Sequence, residues 1–450
     1  MEGGGFSPRH AVKIAIIGGA GVRVPLLVGG LVRSDLRIDR VDLYDIDHER
    51  LSIIAGLAGQ VAGAARVTPQ PTPEAAIEGA DFVITSVRVG GAAQRANDEA
   101  AAIALDTVGQ ETVGPAGFAM AVRAIPAMVH YGRLVARLAP RAWFINFTNP
   151  VSIITQAVHQ ESDARLIGIC DTPMEMFEDA AHALDLPASV CSYDYFGLNH
   201  LGWLRDVLFE GEGQLHRIWN DDARLMAAYR SPLFEPARLR ELRLLPTEYL
   251  YYYYRPDVAL AHMKHAGSSR GRVVADLTES LFVDLAGGGT PSGVPGARPD
   301  LARYERYLAE RDASYMQIET GSTGKRVKPD WAELSGYDRI ALMTMRAIVH
   351  NQGAIVPLDV ANRGTLPFLD AEDIVEVPCR VDKDGPQPQV VGPVPDHARA
   401  LITTVKTYER ATVRAALAGD RAELVDALAL NPLVPSPDRA RKLVDALLPE

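Results

Sequence analysis

Cysteine is scarce in this chain. Only Cys170, Cys191 and Cys379 occur among 450 residues, and they lie far apart. An odd number of widely spaced cysteines makes a poor disulfide framework and is typical of a protein in a reducing compartment. We therefore expect no disulfide scaffold, and at most one of the three cysteines needs a special role.

Long apolar runs and basic clusters are also missing. No uninterrupted apolar run reaches the roughly 18 residues of a membrane span, and the first residues lack the basic-then-apolar pattern of a secretory signal. The formal net charge is -11, without clustered Lys and Arg, which argues against binding to a phosphate backbone. We therefore expect a cytoplasmic protein that acts on a small molecule, not on nucleic acid or a membrane.

Alternating strand and helix patterns dominate the first part of the chain. Strands are predicted at 11–18, 40–47, 81–87, 142–147 and 165–169, with helices between them, including 26–32 and 120–138. This order predicts an α/β fold with a doubly wound, Rossmann-like sheet and right-handed crossovers. We expect the sheet to end near residue 195. A mixed but mainly helical region then follows, with a strand at 374–381 and helices from 397, so we predict two domains, 1–195 and 196–450.

A glycine-rich turn follows the first strand. Gly18, Gly19, Ala20 and Gly21 allow a close backbone approach to a pyrophosphate at a helix N-terminus. The match to Gly-x-Gly-x-x-Gly is imperfect, so a plain tight turn is the alternative. Asp45 ends the next strand, where a carboxylate can accept a hydrogen bond from a ribose 2'-hydroxyl and would repel a 2'-phosphate. The context predicts an NAD site.

Several polar segments follow the sheet strands in a fixed order. They are 88–91, 95–99, 109–114, 146–150, 168–173 and 195–200, with further segments at 376–379 and 408–410. Their order and spacing resemble glycoside hydrolase family 4, the NAD- and metal-dependent glycosidases, most of all its 6-phospho-β-glucosidases. The resemblance implies a lactate/malate dehydrogenase-like architecture, with NAD bound by the first domain and with substrate, metal and subunit contacts in the second.

The resemblance also implies an unusual hydrolysis. NAD removes hydride from the sugar C3, a base then takes the acidified C2 proton, the glycosidic oxygen leaves, water adds, and NADH reduces C3 again. A divalent ion polarises the C3 carbonyl. Cys170 and His200 match the two protein ligands of this ion, which is usually Mn2+, although a thiolate and an imidazole also suit zinc, cobalt or nickel. The alternatives are a small buried cysteine and a core histidine.

Three residues are implied as acid or base catalysts. Tyr249 matches the base, although the segment 246–254 looks helical, so that Tyr252 and Tyr253 share its face and could serve instead, or the stripe could be core. Asp171, where the β-specific members usually have asparagine, matches a general acid of the α-specific members. Glu111 is a second acid candidate, with an ion pair to a nearby arginine as the alternative.

The remaining matches concern cofactor and substrate. Arg88 is assigned to the cofactor and Asn149 to the sugar. Arg95, Arg270 and Arg272 match positions that hold the 6-phosphate, which guanidinium groups bind well. Exposed arginines are common, and Val22-Arg23-Val24 replaces the hydroxyl-rich segment of the family. Another anionic group on the sugar therefore stays open.

Other functions are compatible with parts of this pattern. A 6-phospho-α-glucosidase and an NAD-dependent 2-hydroxy acid dehydrogenase are the alternatives, and a non-catalytic nucleotide sensor is the third. Net NADH production would favour the dehydrogenase, whereas sugar release at constant NADH would favour the hydrolase. The family forms dimers or tetramers, so we expect a homodimer or homotetramer, and a monomer in light scattering would contradict this.

Overall fold

A computed structural model of the chain describes residues 11–229, 232–286, 299–321 and 336–449. The sequence has a Gly/Pro-rich stretch at 287–299, which lies outside the described residues except for Pro299. Within the described ranges, no helix is both long and apolar enough to cross a bilayer.

The first part of the chain alternates strands and helices as predicted. The strands are β1 (Val12–Ile17), β2 (Ile38–Tyr44), β3 (Arg66–Pro69), β4 (Phe82–Thr85), β5 (Trp143–Asn146) and β6 (Arg165–Gly168). The helices are α1 (Val24–Val32), α2 (His48–Val61), α3 (Pro73–Ile77), α4 (Gly91–Ala104), α5 (Gly114–Leu138), α6 (Val151–Glu161) and α7 (Thr172–Ala183). The pattern missed β3 and α3, because β3 is a four-residue strand with no fully buried residue.

These six strands pair in parallel in the order β3-β2-β1-β4-β5-β6. The central strands are fully buried, which explains their continuous apolar runs. This order places the carboxyl ends of β1 and β4 side by side at the point where the chain reverses direction across the sheet. Ligands bind at this point in doubly wound sheets.

The second part of the chain contributes both strands and helices. The strands are β7 (Cys191–Leu198), β8 (Leu201–Phe209), β9 (Glu212–Gly213), β10 (Leu245–Pro246), β11 (Ala354–Ala361), β12 (Ile374–Asp382) and β13 (Gly385–Pro388). The helices are α8 (Asp222–Ala227), α9 (Pro236–Leu242), α10 (Leu250–Tyr254), α11 (Pro256–Ala266), α12 (Arg270–Ala286), α13 (Leu301–Ala313), α14 (Gln317–Thr320), α15 (Tyr337–His350), α16 (Asp396–Ala418), α17 (Arg421–Ala429) and α18 (Pro437–Leu447).

The expectation that the sheet ends near residue 195 is wrong. Antiparallel strands extend it from β6 in the order β11-β12-β7-β8-β10. Asp359 of β11 pairs with Gly168 of β6 where the parallel and antiparallel parts join. A Cβ at Gly168 would lie 2.7 Å from the Cβ of Asp359, so glycine is needed for this approach. The two predicted domains therefore share one sheet, and their boundary stays a prediction.

Candidate active site

The glycine turn after β1 is held tightly against β2. The backbone N–H groups of Gly18 and Gly19 donate to the carbonyl of Tyr44 at 3.0 and 2.8 Å. Gly18 has φ +89°, and a Cβ there would lie 2.3 Å from the Ser86 carbonyl oxygen. Only glycine satisfies both conditions. The N–H of Gly21 donates to the Gly18 carbonyl at 3.0 Å, which closes the turn.

Asp45 lies beside this turn, as the spacing predicted. Its Oδ2 accepts from the N–H of Ala20 at 3.0 Å. The turn leads into α1, whose first turn contains Pro25, and the positive end of a helix favours phosphate. The hydroxyl of Tyr304 on α13 donates to the Val22 carbonyl at 2.6 Å and fixes the turn from the other side. These residues fit a dinucleotide.

Four charged side chains form a continuous ion-pair chain next to the nucleotide turn. Glu111 pairs with Arg88 and also with Arg95 Nη1, the latter at 2.5 Å. Arg95 Nε pairs in turn with Glu99 Oε1 at 2.8 Å, one helical turn away on α4. Glu99 Oε2 accepts from the N–H of Gly271 at 2.6 Å. This series of ion pairs, which ends in the hydrogen bond from Gly271, therefore links α4 to the start of α12.

This environment argues against Glu111 as a general acid. Burial raises the pKa of Glu111, but the guanidinium groups of Arg88 and Arg95 outweigh it and lower the pKa to about 2. The carboxylate is therefore ionised near neutral pH and has no proton to donate. The geometry favours the ion-pair alternative. Arg95 is almost fully buried, and its acidic partners raise its pKa against the opposing effect of burial.

His200 lies in the two-residue turn between β7 and β8. Its backbone has φ +59°, and only 3% of the residue is exposed. Nδ1 lies 2.7 Å from the hydroxyl of Thr112. Burial lowers the pKa of His200 to about 3, despite the opposing charge of Glu111, so the ring is neutral near pH 7. Nε2 is buried and has no hydrogen-bond partner among the described residues. A neutral imidazole with an unengaged buried nitrogen suits a metal ligand.

Cys170 lies just beyond the carboxyl end of β6 and is 1% exposed. Burial, with nearby Glu376 and Asp171, raises the pKa of its thiol well above the ordinary value. Its Sγ lies 3.9 Å from Asp171 Oδ1. Across the described residues, no group of three or more His, Cys, Asp or Glu is arranged to hold a metal ion. Cys170 and His200 can thus supply two ligands, and the rest must come from substrate or water.

Tyr249 is the tyrosine that reaches this pair. Its ring stacks on the His200 ring at 3.6 Å between centroids, with 10° between the planes. Burial, with nearby Glu248 and Cys170, raises its pKa well above the ordinary value, so a base at this position needs a cation close to its oxygen. A metal ion held by the neighbouring His200 would supply this cation.

Two of the three tyrosines of the predicted shared face are neighbours, because the ring centroids of Tyr249 and Tyr252 lie 6.4 Å apart. The helix α10 has five residues, and Tyr249 is its N-cap residue, not part of it. The Tyr252 hydroxyl donates to Met316 Sδ at 3.5 Å. Burial raises the pKa of Tyr253, and nearby Tyr408 and Glu409 raise it further, so Tyr253 faces those residues of α16. Of the three candidates, Tyr249 is therefore placed best for a base.

The predicted substrate arginines separate into two groups. Arg270 is half-buried, with Nη1 3.4 Å from Ser314 Oγ and its guanidinium 4.7 Å from the centre of the Tyr315 ring. The Tyr315 hydroxyl donates to Glu248, the neighbour of Tyr249. The side chain of Arg272 is 50% exposed and faces Asp276 on its own helix at 3.7 Å. The structure therefore brings Arg270 towards the site and leaves Arg272 at the surface.

Asn149 and Asp171 follow β5 and β6. Asn149 Oδ1 is buried and has no partner among the described residues, as expected for a group that awaits a ligand. A Cβ at Gly336 would lie 2.8 Å from Asp171 Oδ2 and 3.3 Å from Arg23 Nη2. Arg23, which stands in the segment where the family has hydroxyl side chains, therefore lies close to Asp171, the predicted general acid.

Sequence reasoning included the residues that support these groups in motif segments but gave them no role. Glu376 of β12 accepts from the Tyr195 hydroxyl at 2.5 Å and from Asn199 Nδ2 at 3.1 Å, and it therefore holds the end of β7 and the turn that contains His200. Burial raises the pKa of Glu376 to about 7. Glu99 was given no role either, although its position four residues after Arg95 was a usable signal.

Comparison with known proteins agrees with this site. The "Family 4 glycosyl hydrolase" model matches residues 13–186, and the "Family 4 glycosyl hydrolase C-terminal domain" model matches residues 195–434. With the nucleotide turn and the Cys170–His200 pair, these matches define an enzyme of the glycosidase type. The chain belongs to glycosyl hydrolase family 4, which confirms the predicted resemblance.

Relatives of two kinds cover the chain. The 6-phospho-beta-glucosidase of Escherichia coli (strain K12) is 29% identical, covering 96% of this chain and 93% of the relative. The maltose-6'-phosphate glucosidase of Bacillus subtilis (strain 168) is 27% identical, covering 98% and 96%. The Thermotoga maritima 6-phospho-beta glucosidase solved with manganese, NAD+ and glucose-6-phosphate has a TM-score of 0.80 at 28% identity, covering 97% and 98%.

The dehydrogenase-like architecture is confirmed as well. A malate dehydrogenase of Cryptosporidium parvum has a TM-score of 0.53 at 13% identity, covering 91% of this chain and all of that one. Such a likeness concerns the fold alone. The prediction of an α/β Rossmann-like fold is correct, and the likeness lends no support to a 2-hydroxy acid dehydrogenase.

Proposed function

We propose that this enzyme hydrolyses 6-phospho-β-glucosides with NAD and a divalent cation, Mn2+ in the first place. The observation that carries the proposal is the unengaged, buried Nε2 of His200, whose ring is stacked against Tyr249. A neutral imidazole stacked on a phenol that also lies near a thiol suits proton removal beside a bound cation. The relatives solved with NAD, manganese and glucose-6-phosphate support the same assignment.

The chain has residues for both cofactors. The turn from Gly18 to Gly21 and the Asp45 carboxylate would hold NAD, and Cys170 and His200 would hold the cation. When bound, NAD supplies reversible hydride removal at the sugar, and the cation polarises the resulting carbonyl oxygen. Because the Cys170 thiol is protonated in the protein alone, it must lose its proton to serve as a thiolate ligand.

Proton transfer is assigned to Tyr249 and Asp171. Tyr249 would take the C2 proton, because its ring lies directly against the proposed ligand His200. Asp171 would then protonate the leaving glycosidic oxygen from its position beside Cys170. Asn149, with its unengaged Oδ1, would accept a hydrogen bond from a sugar hydroxyl.

The phosphate would bind near Arg270. Arg95 already pairs with two carboxylates, so its charge is largely balanced within the protein, whereas Arg270 contacts a serine hydroxyl and an aromatic ring. Arg270 also lies near enough to Glu319 to oppose the rise that burial causes in the pKa of that carboxyl. We assign direct phosphate binding to Arg270 and the ordering of the site to Arg88, Glu111 and Arg95.

A 6-phospho-α-glucosidase is the second candidate. One observation favours it: the carboxylate of Asp171 is next to the proposed metal ligand Cys170, where β-type members usually have asparagine. The covering relatives include both kinds at 29% and 27% identity. The β assignment rests on Thr172 and Pro173 and on the compact tyrosine segment.

Paired substrates test the proposal. The protein is incubated with NAD+, Mn2+ and a reductant against nitrophenyl 6-phospho-β- and 6-phospho-α-glucosides and their unphosphorylated analogues. We expect cleavage of the 6-phospho-β substrate, with no net accumulation of NADH. Cleavage of the α substrate alone would replace the β assignment, and cleavage of only unphosphorylated sugars would contradict the phosphate site. Cys170→Ser should lose Mn2+-dependent turnover and keep NAD binding, with Cys191→Ser as the matched control.

A further inference from the structure

The loop between α4 and α5 carries a glutamine whose orientation is fixed by the backbone. Gln110 Oε1 accepts from the N–H of Thr112 at 2.6 Å and from the N–H of Val113 at 2.9 Å. A backbone N–H can only donate, so the side-chain atom that faces both must be the amide oxygen. The orientation of Gln110 therefore follows from its partners and not from an arbitrary choice between oxygen and nitrogen.

The same oxygen determines which way the Thr112 hydroxyl points. Thr112 Oγ1 lies 3.0 Å from Gln110 Oε1 and 2.7 Å from His200 Nδ1. The hydroxyl has one proton, and an amide oxygen has none to give. If the proton pointed to His200, two oxygen acceptors would face each other at 3.0 Å without a proton between them. If it points to Gln110, every contact is a hydrogen bond, so this direction is favoured.

The direction of the hydroxyl then fixes the proton on His200. Oγ1 of Thr112 accepts on the side of the histidine, so Nδ1 must carry the hydrogen. A neutral imidazole has one N–H, which leaves Nε2 with a bare lone pair. This is the buried atom that has no hydrogen-bond partner among the described residues.

The backbone around the loop allows little adjustment. A Cβ at Gly117 would lie 2.5 Å from the carbonyl carbon and oxygen of Thr112, and a Cβ at Gly109 would lie 2.4 Å from the Glu99 carbonyl oxygen. Both glycines therefore let α4 and α5 close directly on the loop. His200, on the other side, sits at φ +59° in a two-residue turn. The hydroxyl and the ring are thus presented to each other by two constrained segments.

We propose that Gln110 and Thr112 are positioning residues that hold His200 in the Nδ1–H form and so direct a free Nε2 lone pair to the metal. The inference rests on the proposed function, because it assumes that His200 is a metal ligand. Hydrogen bonds of this kind to metal-bound histidines typically change metal affinity or activity about 10- to 100-fold when removed.

The wild-type protein tests the tautomer directly. Metal-free protein labelled with 15N-histidine is examined by two-bond 15N–1H NMR correlation at pH 7, and the His200 signals are identified by their loss in His200→Gln. We expect a protonated Nδ1 and an unprotonated Nε2. Protonation at Nε2, or a mixture of both forms, would overturn the inference.

Substitutions test the consequence for the metal. Thr112→Val keeps the size of the side chain and removes the hydroxyl, so Mn2+ affinity measured by calorimetry should fall about 10- to 100-fold, while NAD affinity is unchanged. Thr112→Ser should restore Mn2+ binding close to the wild type. Thr344→Val is the matched control, because this buried hydroxyl donates to the Ile340 carbonyl within its own helix.

The outcomes separate the inference from the proposed function. Wild-type Mn2+ affinity in Thr112→Val, or a similar loss in Thr344→Val, would overturn the positioning role alone. Failure of the wild-type protein to bind Mn2+ would overturn the metal site itself. If Thr112→Val does not fold, the tautomer of the wild type and the Mn2+ affinity of Thr112→Ser still decide the question.

Discussion

The carboxylate of Glu111 is stabilised in its ionised form by two guanidinium groups. Because the folded-state pKa of about 2 lies below the ordinary value of 4.5, the ion pairs contribute their full stabilisation above about pH 4.5. This contribution is lost as the pH falls towards 2. Glu111 is only 12% exposed at its side chain, so solvent screens the interaction little.

Glu111→Gln should therefore destabilise the protein in a pH-dependent way. A shift of this size corresponds to a loss on the order of 3 kcal/mol at pH 7, shrinking as the pH approaches 2. Urea unfolding at pH 7 and at successive lower pH values measures it. Glu372→Gln, at an exposed pair with His159, should change stability by less than about 1 kcal/mol. An equal loss at every pH would indicate a packing defect and not an ion pair.

Tyr249→Phe should lower kcat about 10²- to 10⁴-fold, the usual range for a lost general base. The substitution keeps the ring that stacks on His200, so the fold and Mn2+ binding should survive. Initial rates at saturating NAD+ and Mn2+ measure the effect. Tyr252→Phe is the matched control, because its hydroxyl has only a weak contact with Met316 Sδ. Equal losses in both variants would remove Tyr249 from the role of base.

The sequence proposed site residues that stand in motifs, and it did not propose residues that contact them from distant parts of the chain. Cys170, His200 and Tyr249 stand at positions that the family resemblance implied, and the structure brings them together. The support of His200 by Thr112 links positions 88 residues apart. No local pattern contains such a contact, and Gln110 and Thr112 were visible only as letters of a motif.

At the scale of elements, α12 separates two arginines that the sequence treated alike. Arg270 and Arg272 are two residues apart and therefore point to different sides of the helix. Arg270 packs its guanidinium over the ring of Tyr315, whereas Arg272 faces Asp276 on its own helix. A resemblance at two neighbouring positions could not distinguish them, because the direction of the helix was unknown.

Arg270→Ala should raise KM for a 6-phosphorylated substrate about 10- to 100-fold. Hydrogen bonds to charged groups contribute roughly 1.5–3 kcal/mol, which corresponds to this range. Arg272→Ala is the control and should leave KM near the wild-type value. Steady-state kinetics with the phosphorylated nitrophenyl substrate checks both. A larger effect for Arg272→Ala would reverse the assignment made from exposure.

The elements that the sequence missed share a physical reason. The strand β3 is short and partly exposed, so it lacks the apolar run by which the buried strands were found. The strands β7, β8 and β11 pair antiparallel, with partners that are often distant in sequence. They do not follow the strand–helix alternation by which the first strands were predicted. The buried strands β1, β4, β5 and β6 were predicted correctly within a few residues.

At the scale of the whole molecule, polar contacts tie the predicted domains together inside the core. Ser152 on α6 donates to Glu409 on α16 at 2.7 Å. Gln156 donates to the Glu372 carbonyl at 2.9 Å and accepts from the N–H of Ile374 at 2.8 Å. Both α6 residues are buried. Removing the second half of the chain would leave these groups and the edge of β6 unpaired.

A fragment of residues 1–195 should therefore fail to fold independently. We expect no cooperative thermal transition from the fragment by circular dichroism, and a single main transition from the full chain, because buried polar groups without partners are costly. The full chain carrying Glu372→Gln serves as the control for loss of an exposed contact. A fragment that melts cooperatively and binds NAD would show instead that the first domain is autonomous.

The bridge between Asp359 and Gly168 sets a limit on how this enzyme can move during turnover. Many enzymes exclude water by closing two lobes about a flexible hinge. Here β1, which leads into the nucleotide turn, and β7, which leads into the turn of His200, belong to one hydrogen-bonded sheet. A lobe closure would have to break that sheet, so the spacing between the nucleotide turn and the proposed metal ligands is set when the chain folds. Any gating of the substrate then falls to the loops around the edge of the sheet.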